Sequence, residues 1–249
     1  MAARQQMQSL QELPKDLQQA VNSLRRGDFV LLHDSKSREN EVDLIVAAER
    51  ITPDQVYTMR RDAGGLLCVA IDHSVGKRLG IGYLHDIFDS SSSKFPILRD
   101  LAEEREAYGD RPAFSITVNH RHTFTGVTDQ DRALTISNLG QICKKVLDND
   151  PESRLDFVRQ FKSPGHVYVL LESEGSLARR RGHTELSVYL CKLAGITPAA
   201  AICEMLDGRT HRALSVDDAE SYAQEHKLSI IDGGTLLNHF ELEEHELNQ

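Results

Sequence analysis

No apolar run in this 249-residue chain approaches the roughly 20 consecutive residues that a membrane-spanning helix needs. The N-terminus, MAARQQMQSLQELPKDLQQ, also lacks the apolar core of a secretory signal. The four cysteines, Cys68, Cys143, Cys191 and Cys203, are widely spaced and form no C-x-x-C pair. That spacing argues against a disulfide framework or a structural zinc and for buried free thiols in a reducing compartment. Positive charge is not in excess either. The formal net charge is -9, and Lys and Arg are scattered apart from Arg179-Arg180-Arg181, so no nucleic-acid footprint is expected. G-x-G-x-x-G, the Walker lysine motif and G-x-S-x-G are all missing, which removes the common nucleotide-binding and hydrolase readings. What these absences leave is a cytoplasmic globular protein with no membrane partner, and 40% hydrophobic residues are enough for a full core.

What is present centres on the stretch RENEVD at 38–43, which runs into the apolar LIVAA at 44–48. On an extended backbone the period of two puts Glu39, Glu41 and Asp43 on one face. Neighbouring carboxylates about 7 Å apart repel by about 2 kcal/mol at an effective dielectric near 20. A divalent metal, an arginine or a proton could each offset that. A calcium loop of the EF-hand type does not fit, because Lys36 and Arg38 stand at ligand positions and Glu39 where glycine belongs. Taken alone, the row also suits a solvated charged turn.

Along the chain, the Gln-rich residues 1–12 are expected to be a flexible tail and 13–249 a single domain. Leu13, Leu17, Val21 and Leu24 form a helical stripe with Gly27 at its C-terminal cap. Strands are predicted at 29–32, 43–48, 66–71, 114–118, 167–171, 199–206 and 228–231. Thr52 and Pro53 open a helix through Met59, and Thr184 is expected to cap another that Gly195 closes. Further helices are predicted near 136–147 and 151–161, from Ser215, and through Leu236 and Phe240. Residues 82–112 have few periodic apolar positions and read as a long surface excursion, a candidate lid. The interleaving is not that of regular βαβ repeats. It predicts an α/β (α+β) fold, a mixed twisted sheet flanked by helices on both faces.

Four more features carry chemistry. The segment RRRGHTE at 179–185 opens a helix with arginines, a hydroxyl and His183, a ready phosphate site that also suits a plain basic cap. Its His-x-Glu has no downstream P-C-x-x-C, so a zinc deaminase is rejected. The polar loop FTGVTDQDR at 124–132 offers hydroxyls, with helix capping as the ordinary alternative. In SPGH, His166 stands at the start of a strand, where a structural histidine is equally at home. Glu204 lies in the apolar AAAICEM and needs a partner, because an unpaired buried charge costs several kcal/mol.

In order, DSKSRENEVDLIVAAERITP, AGGLLCVAI, FSITVNHRHTFTGVTDQDRA, SPGHVYVL, RRRGHTELSVYLCKLAG and AAAICEM resemble the 3,4-dihydroxy-2-butanone 4-phosphate synthase family of riboflavin biosynthesis. The likeness runs from about residue 17 to 240 and is greatest to the archaeal single-function form, so the GTP cyclohydrolase II activity of fused relatives is not implied. The resemblance implies a homodimeric, magnesium-dependent lyase with sites at the subunit interface. Its substrate would be D-ribulose 5-phosphate, its products L-3,4-dihydroxybutan-2-one 4-phosphate and formate. It implies two Mg2+ ions per site, held by Glu39 and His183, with the histidine leaving room for Mn2+. It implies substrate contacts from Arg38, Glu39, Asp43, Arg180, Arg181, Gly182, His183, Thr184 and Glu204, with Arg180, Thr184 and Thr125 assigned to phosphate. His166 and Glu204 match residues essential for catalysis, and Cys68 matches an active-site cysteine. On this reading Asp43 is the base and Glu41 the proton donor or relay. Two departures stand out. Val42 replaces the usual glycine, so the acidic row is expected to be extended rather than turned, and Arg181 adds a charge near the phosphate. The competing readings are a phosphosugar- or nucleotide-binding module and a metal-dependent sugar-phosphate isomerase or aldolase.

Overall fold

The structure, a computed structural model, describes residues 13–101 and 109–247. The tail expected at 1–12 lies outside the described residues. Local signals act where the chain carries them. Helix α1 (Lys15–Arg26) buries Leu17, Val21 and Leu24 and stops at Gly27, whose φ of 82° lets its N–H reach back to Leu24. Thr52 and Gln55 form a reciprocal capping box at the start of α2 (Pro53–Thr58).

Seven strands form one mixed sheet in the order β4-β5-β3-β6-β2-β1-β9. They are β1 (Val30–His33), β2 (Val42–Ala47), β3 (Cys68–Ile71), β4 (Phe114–His120), β5 (Phe161–Leu171), β6 (Ala199–Glu204) and β9 (Ser229–Asp232), with a small separate pair β7 (Leu206–Asp207) and β8 (Arg212–Ala213). Two pairs are parallel (β1 with β9, β3 with β5), and the others are antiparallel (β4 with β5, β3 with β6, β2 with β6, β1 with β2). The intervening helices are α3 (His73–Leu79), α4 (Leu84–Ser91), α5 (Ile97–Leu101), α6 (Asp129–Leu147), α7 (Ser153–Gln160), α8 (His183–Leu193), α9 (Val216–His226) and α10 (Gly233–Leu247).

Alternation along the strands divides the core in two. Val42, Leu44, Val46, Val69 and Ile71 pack with Ile136, Leu139 and Ile142 of α6. Val30, Leu32, Ile45, Ala70 and Ile202 pack with α1, with Leu186 and Leu190 of α8, and with Leu236 of α10. Both faces are therefore covered, as expected, and all four cysteines are buried free thiols.

Some boundaries move. β5 begins at Phe161 instead of 167, so His166 lies inside the strand, with irregular pairing to β4 around it. Helix α8 has Gly182 at its N-cap, not Thr184, and no side chain caps it. The excursion folds into α4 and α5, neither of which buries a residue, and 102–108 lie outside the described residues.

The expectation of an extended acidic row is overturned. Asn40 has φ +54°, in the left-handed region, and residues 36–39 are turn. The cause is Asp34, whose carboxylate accepts the N–H of Glu39 (2.9 Å) and of Glu41 (3.1 Å) and pulls the loop back on itself. Extended backbone starts at Val42, where His33 of β1 becomes its partner. Val42 itself is extended, as its branching requires.

Candidate active site

The functional residues gather at one end of the sheet, for reasons of register. β2 begins and β6 ends there, and the ladder sets Asp43 opposite Glu204. Ile45, Ile202 and Cys68 belong to the α8-side cluster, so Asp43 and Glu204, two residues away along their strands, also point to the α8 side. Helix α8 begins above them, and its first residue, His183, is 5% exposed.

His183 joins the two halves of the site. Its Nδ1 lies 3.1 Å from Glu39 Oε2, and its Nε2 lies 3.2 Å from the Glu41 carbonyl oxygen and 3.6 Å from Asp43 Oδ1. Burial by itself lowers the imidazole pKa. The charge of Asp43 and the bond to Glu39 outweigh it, and the group is raised to about 9. Asp43 is wholly enclosed, and burial raises it to about 7, with His183 opposing and Glu204, Glu39 and Glu41 adding to the rise. Its Oδ1 has no hydrogen-bond partner among the described residues. Glu41 is raised as well, first by burial and then by Glu39 and Glu204. Glu204 finds the partner its apolar strand demands in the backbone N–H of Leu66, 2.7 Å from Oε2. Gly65 makes that approach feasible, because a Cβ there would stand 2.4 Å from the same oxygen. Burial holds the Cys68 thiol pKa well up, so Cys68 is a protonated wall of the site rather than a thiolate.

Arginines line the other side. Arg38 reaches Asp34 (3.3 Å), Glu39 (2.9 Å) and Asp110 (3.1 Å), and Arg180 is locked to the buried Glu185 at 2.6 Å. The two guanidinium groups converge over Gly182, where a Cβ would lie 2.4 Å from Arg180 and 2.7 Å from Arg38. With no side chain capping α8, its first N–H groups face this cationic corner, an arrangement suited to a phosphate. Beside Arg180 opens a cavity of about 460 Å3, walled by Tyr83, His85, Asp110, Arg111 and Arg179.

The residues present fit a divalent cation. Asp34, Glu39 and His183 each offer one ligand atom, all within 4.8 Å of one another, and the orphaned Asp43 oxygen faces the same histidine. Two carboxylates and one imidazole form an oxygen-rich set that suits Mg2+ and admits Mn2+.

Arg38, Glu39, Glu41, Asp43, Gly182, His183 and Glu204 are thus brought together, with Arg180 at the rim and Thr184 buried next to His183 in α8. Three of the residues singled out from sequence stand apart. Arg181 turns outward to Glu241 of α10 (3.1 Å), so the extra charge expected near the phosphate is spent at the surface. His166 is exposed and held by Asn119, whose side chain donates to its Nδ1 (3.0 Å) and accepts its N–H (2.8 Å). Thr125 is exposed in the loop after β4, where its N–H is bound by Asp131. His166 and Thr125 share that end of the sheet but do not belong to the cluster of Asp34, Glu39 and His183. Asp34, Asp110 and Glu185 were missed. Asp34 had a local signal, an Asp ahead of a polar turn, and Glu185 stands only five residues from its partner Arg180; the contact of Asp110 with Arg38 depends on tertiary folding.

A family model described as 3,4-dihydroxy-2-butanone 4-phosphate synthase matches residues 18–239. The protein of that name from Methanothermobacter thermautotrophicus is 47% identical over 224 residues, 90% of this chain and 95% of the relative. Its counterpart from Archaeoglobus fulgidus is 42% identical over 226 residues, 90% and 94% of the two chains. Among solved structures, a 3,4-dihydroxy-2-butanone 4-phosphate synthase in complex with two magnesium ions superimposes with a TM-score of 0.71 at 30% identity, covering 90% of this chain and 96% of that one.

Proposed function

Since this chain belongs to the 3,4-dihydroxy-2-butanone 4-phosphate synthase family, we propose that it is a lyase of riboflavin biosynthesis that converts D-ribulose 5-phosphate into L-3,4-dihydroxybutan-2-one 4-phosphate and formate. The observation that carries this reading is the meeting of Glu39, Glu41, Asp43 and Glu204 with His183 at one end of the sheet. A buried carboxyl raised to about 7 suits a base working near neutrality, which favours an enzyme over a binding module.

Glu39 and His183 would hold the cation, with Asp34 beside them, and the relative solved with two magnesium ions supports a divalent cation as the metal. When bound, a divalent cation supplies Lewis-acid polarisation of the sugar's oxygens. The chain's own groups do the rest. Arg38, Arg180, Gly182 and Thr184 take the phosphate at the start of α8 and fix the distance to the reacting carbons. Asp43 removes the proton at C3, a task that its burial-raised pKa suits. Glu41, also raised by burial, donates to the departing hydroxyl. Glu204 and His166 move protons in the later skeleton shift and the expulsion of C4 as formate. The hydroxyl leaves as water and one water is taken up at C4 when formate is expelled, so the overall reaction balances without an oxidant.

His166 and Thr125 reach the chemistry on this reading through a homodimer with sites at the subunit interface. Exposed apolar side chains on their flank support it: Phe124, 95% exposed, with Val127, Tyr168 and Leu66. The excursion at 82–112 serves as a lid whose Asp110 already reaches Arg38. Arg181 is left with a surface role, and Cys68 walls the site. The test is an assay of D-ribulose 5-phosphate with Mg2+. Formate equal to substrate consumed is expected; turnover to another sugar phosphate without formate favours an isomerase instead.

A further inference from the structure

The loop that carries Glu39 and Glu41 has its sharpest bend at the residue between them. Asn40 takes the left-handed conformation (φ +54°), which is costly for any residue but glycine and is tolerated best by Asn and Asp. The bend has a visible consequence. It folds Glu39 back to His183 Nδ1 at 3.1 Å while leaving the Glu41 carbonyl 3.2 Å from Nε2 of the same ring. The two contacts on the imidazole within hydrogen-bond distance therefore come from the two neighbours of Asn40.

Backbone N–H groups of the loop are held by Asp34 and by the Ser35 carbonyl. The Asn40 side chain is held by another group, His33. The last residue of β1, it is 5% exposed and registered between Val42 of β2 and Asp232 of β9. Its Nδ1 lies 2.8 Å from Asp232 Oδ2 and its Nε2 lies 3.2 Å from Asn40 Oδ1. Asp232 is fixed in turn, because its other oxygen accepts the N–H of Gly234 at the start of α10 (2.8 Å). His33 shares the face of Leu31, which packs on the α6 side, whereas Asp43 and Glu204 point to the α8 side. It therefore supports the loop from behind the sheet and touches none of the site's side chains among the described residues.

We propose that His33, backed by Asp232, is a positioning residue that holds Asn40 in its left-handed bend and so sets the directions of Glu39 and Glu41. The inference rests on Glu39 and His183 holding a divalent cation. It predicts that breaking a contact on the far face of the sheet weakens metal binding on the near face.

The experiment is direct Mn2+ titration, followed by electron paramagnetic resonance and calorimetry, on the wild-type chain and on His33→Phe, Asp232→Ala, Asn40→Gly and the His33→Phe/Asn40→Gly double variant. His33→Phe and Asp232→Ala should each weaken Mn2+ binding on the order of tenfold, as loss of an outer-shell support does. Both should keep a cooperative thermal unfolding transition; Asp232, whose side chain is 59% exposed, serves as the independent arm should His33→Phe fold poorly. Glycine adopts the bend without a side-chain partner. In the Asn40→Gly background, His33→Phe should therefore cost nothing further. Wild-type binding with both relay variants within twofold of it overturns the inference alone, as does a His33→Phe cost undiminished in Asn40→Gly. A wild-type chain that binds no Mn2+ overturns the metal reading and this inference together.

Discussion

Asp43 and Glu204 face each other as directly paired residues of β2 and β6, two carboxylates set side by side where a sheet favours opposite charges. The pairing costs stability once both carboxyls are ionised. The folded Asp43 carboxyl keeps its proton up to about pH 7, whereas its ordinary value is 3.8. Between those values the folded state binds more protons than the unfolded one, so stability falls as pH rises. Asp43→Asn should remove this slope and stabilise the metal-free protein at pH 8 by on the order of 1–3 kcal/mol, while abolishing turnover. Thermal unfolding in chelator at pH 5 and pH 8 checks it. A variant that melts lower than wild type at pH 8 would contradict the burial argument. His183, raised to about 9, adds to the same trend: its contribution is complete below its ordinary 6.5 and is lost as pH rises through 9.

Chelation should end activity and lower the melting temperature, and Mg2+ or Mn2+ should restore both. At a hundredfold excess over Kd the added stability is about 2.7 kcal/mol. Glu39→Gln should lose that increment with its fold intact. Calorimetric melts with and without Mg2+ decide the point.

Gly65→Ala adds a Cβ 2.4 Å from Glu204 Oε2 and 2.6 Å from its backbone carbonyl. Glu204 must then move by about an ångström, for which a loss of about a hundredfold in kcat is expected. Circular dichroism should show an unchanged fold. Activity within twofold of wild type would remove Glu204 from the chemistry.

Lys192 lies toward the opposite end of the sheet, 2.8 Å from Asp72 and 2.9 Å from the buried Glu172. Lys192→Ala takes the cation from two carboxylates that keep only Ser74, Ser176 and the His73 N–H as partners, and because Lys192 is partly exposed the expected cost is about 2 kcal/mol. Denaturant unfolding measures it. kcat should be untouched, which separates structural from catalytic carboxylates.

Much of the fold was legible locally. Gly27 ends a helix because its φ must be positive, and Thr52 with Gln55 starts one because the two side chains satisfy each other's backbone groups. The acidic residues and His183 were legible as chemistry by type. Their geometry was not. The branching of Val42 speaks only for Val42, while the bend at Asn40 is made by Asp34 and held by His33 through contacts that local spacing does not announce. Register decided the rest. Asp43 meets Glu204 across more than 150 residues, and no local pattern announces that pairing. Arg181 misled for a related reason: its neighbours reach inward, but its own partner, Glu241, is on the last helix.

The most direct measurement uses D-ribulose 5-phosphate carrying 13C at C4, followed by NMR with Mg2+ present. The wild-type chain should place all the label in formate, with an unlabelled four-carbon phosphate beside it, and Asp43→Asn should form neither and should exchange no C3 proton with solvent deuterium. Label that stays in a five-carbon sugar phosphate, or C3 exchange at the wild-type rate in Asp43→Asn, would contradict the account.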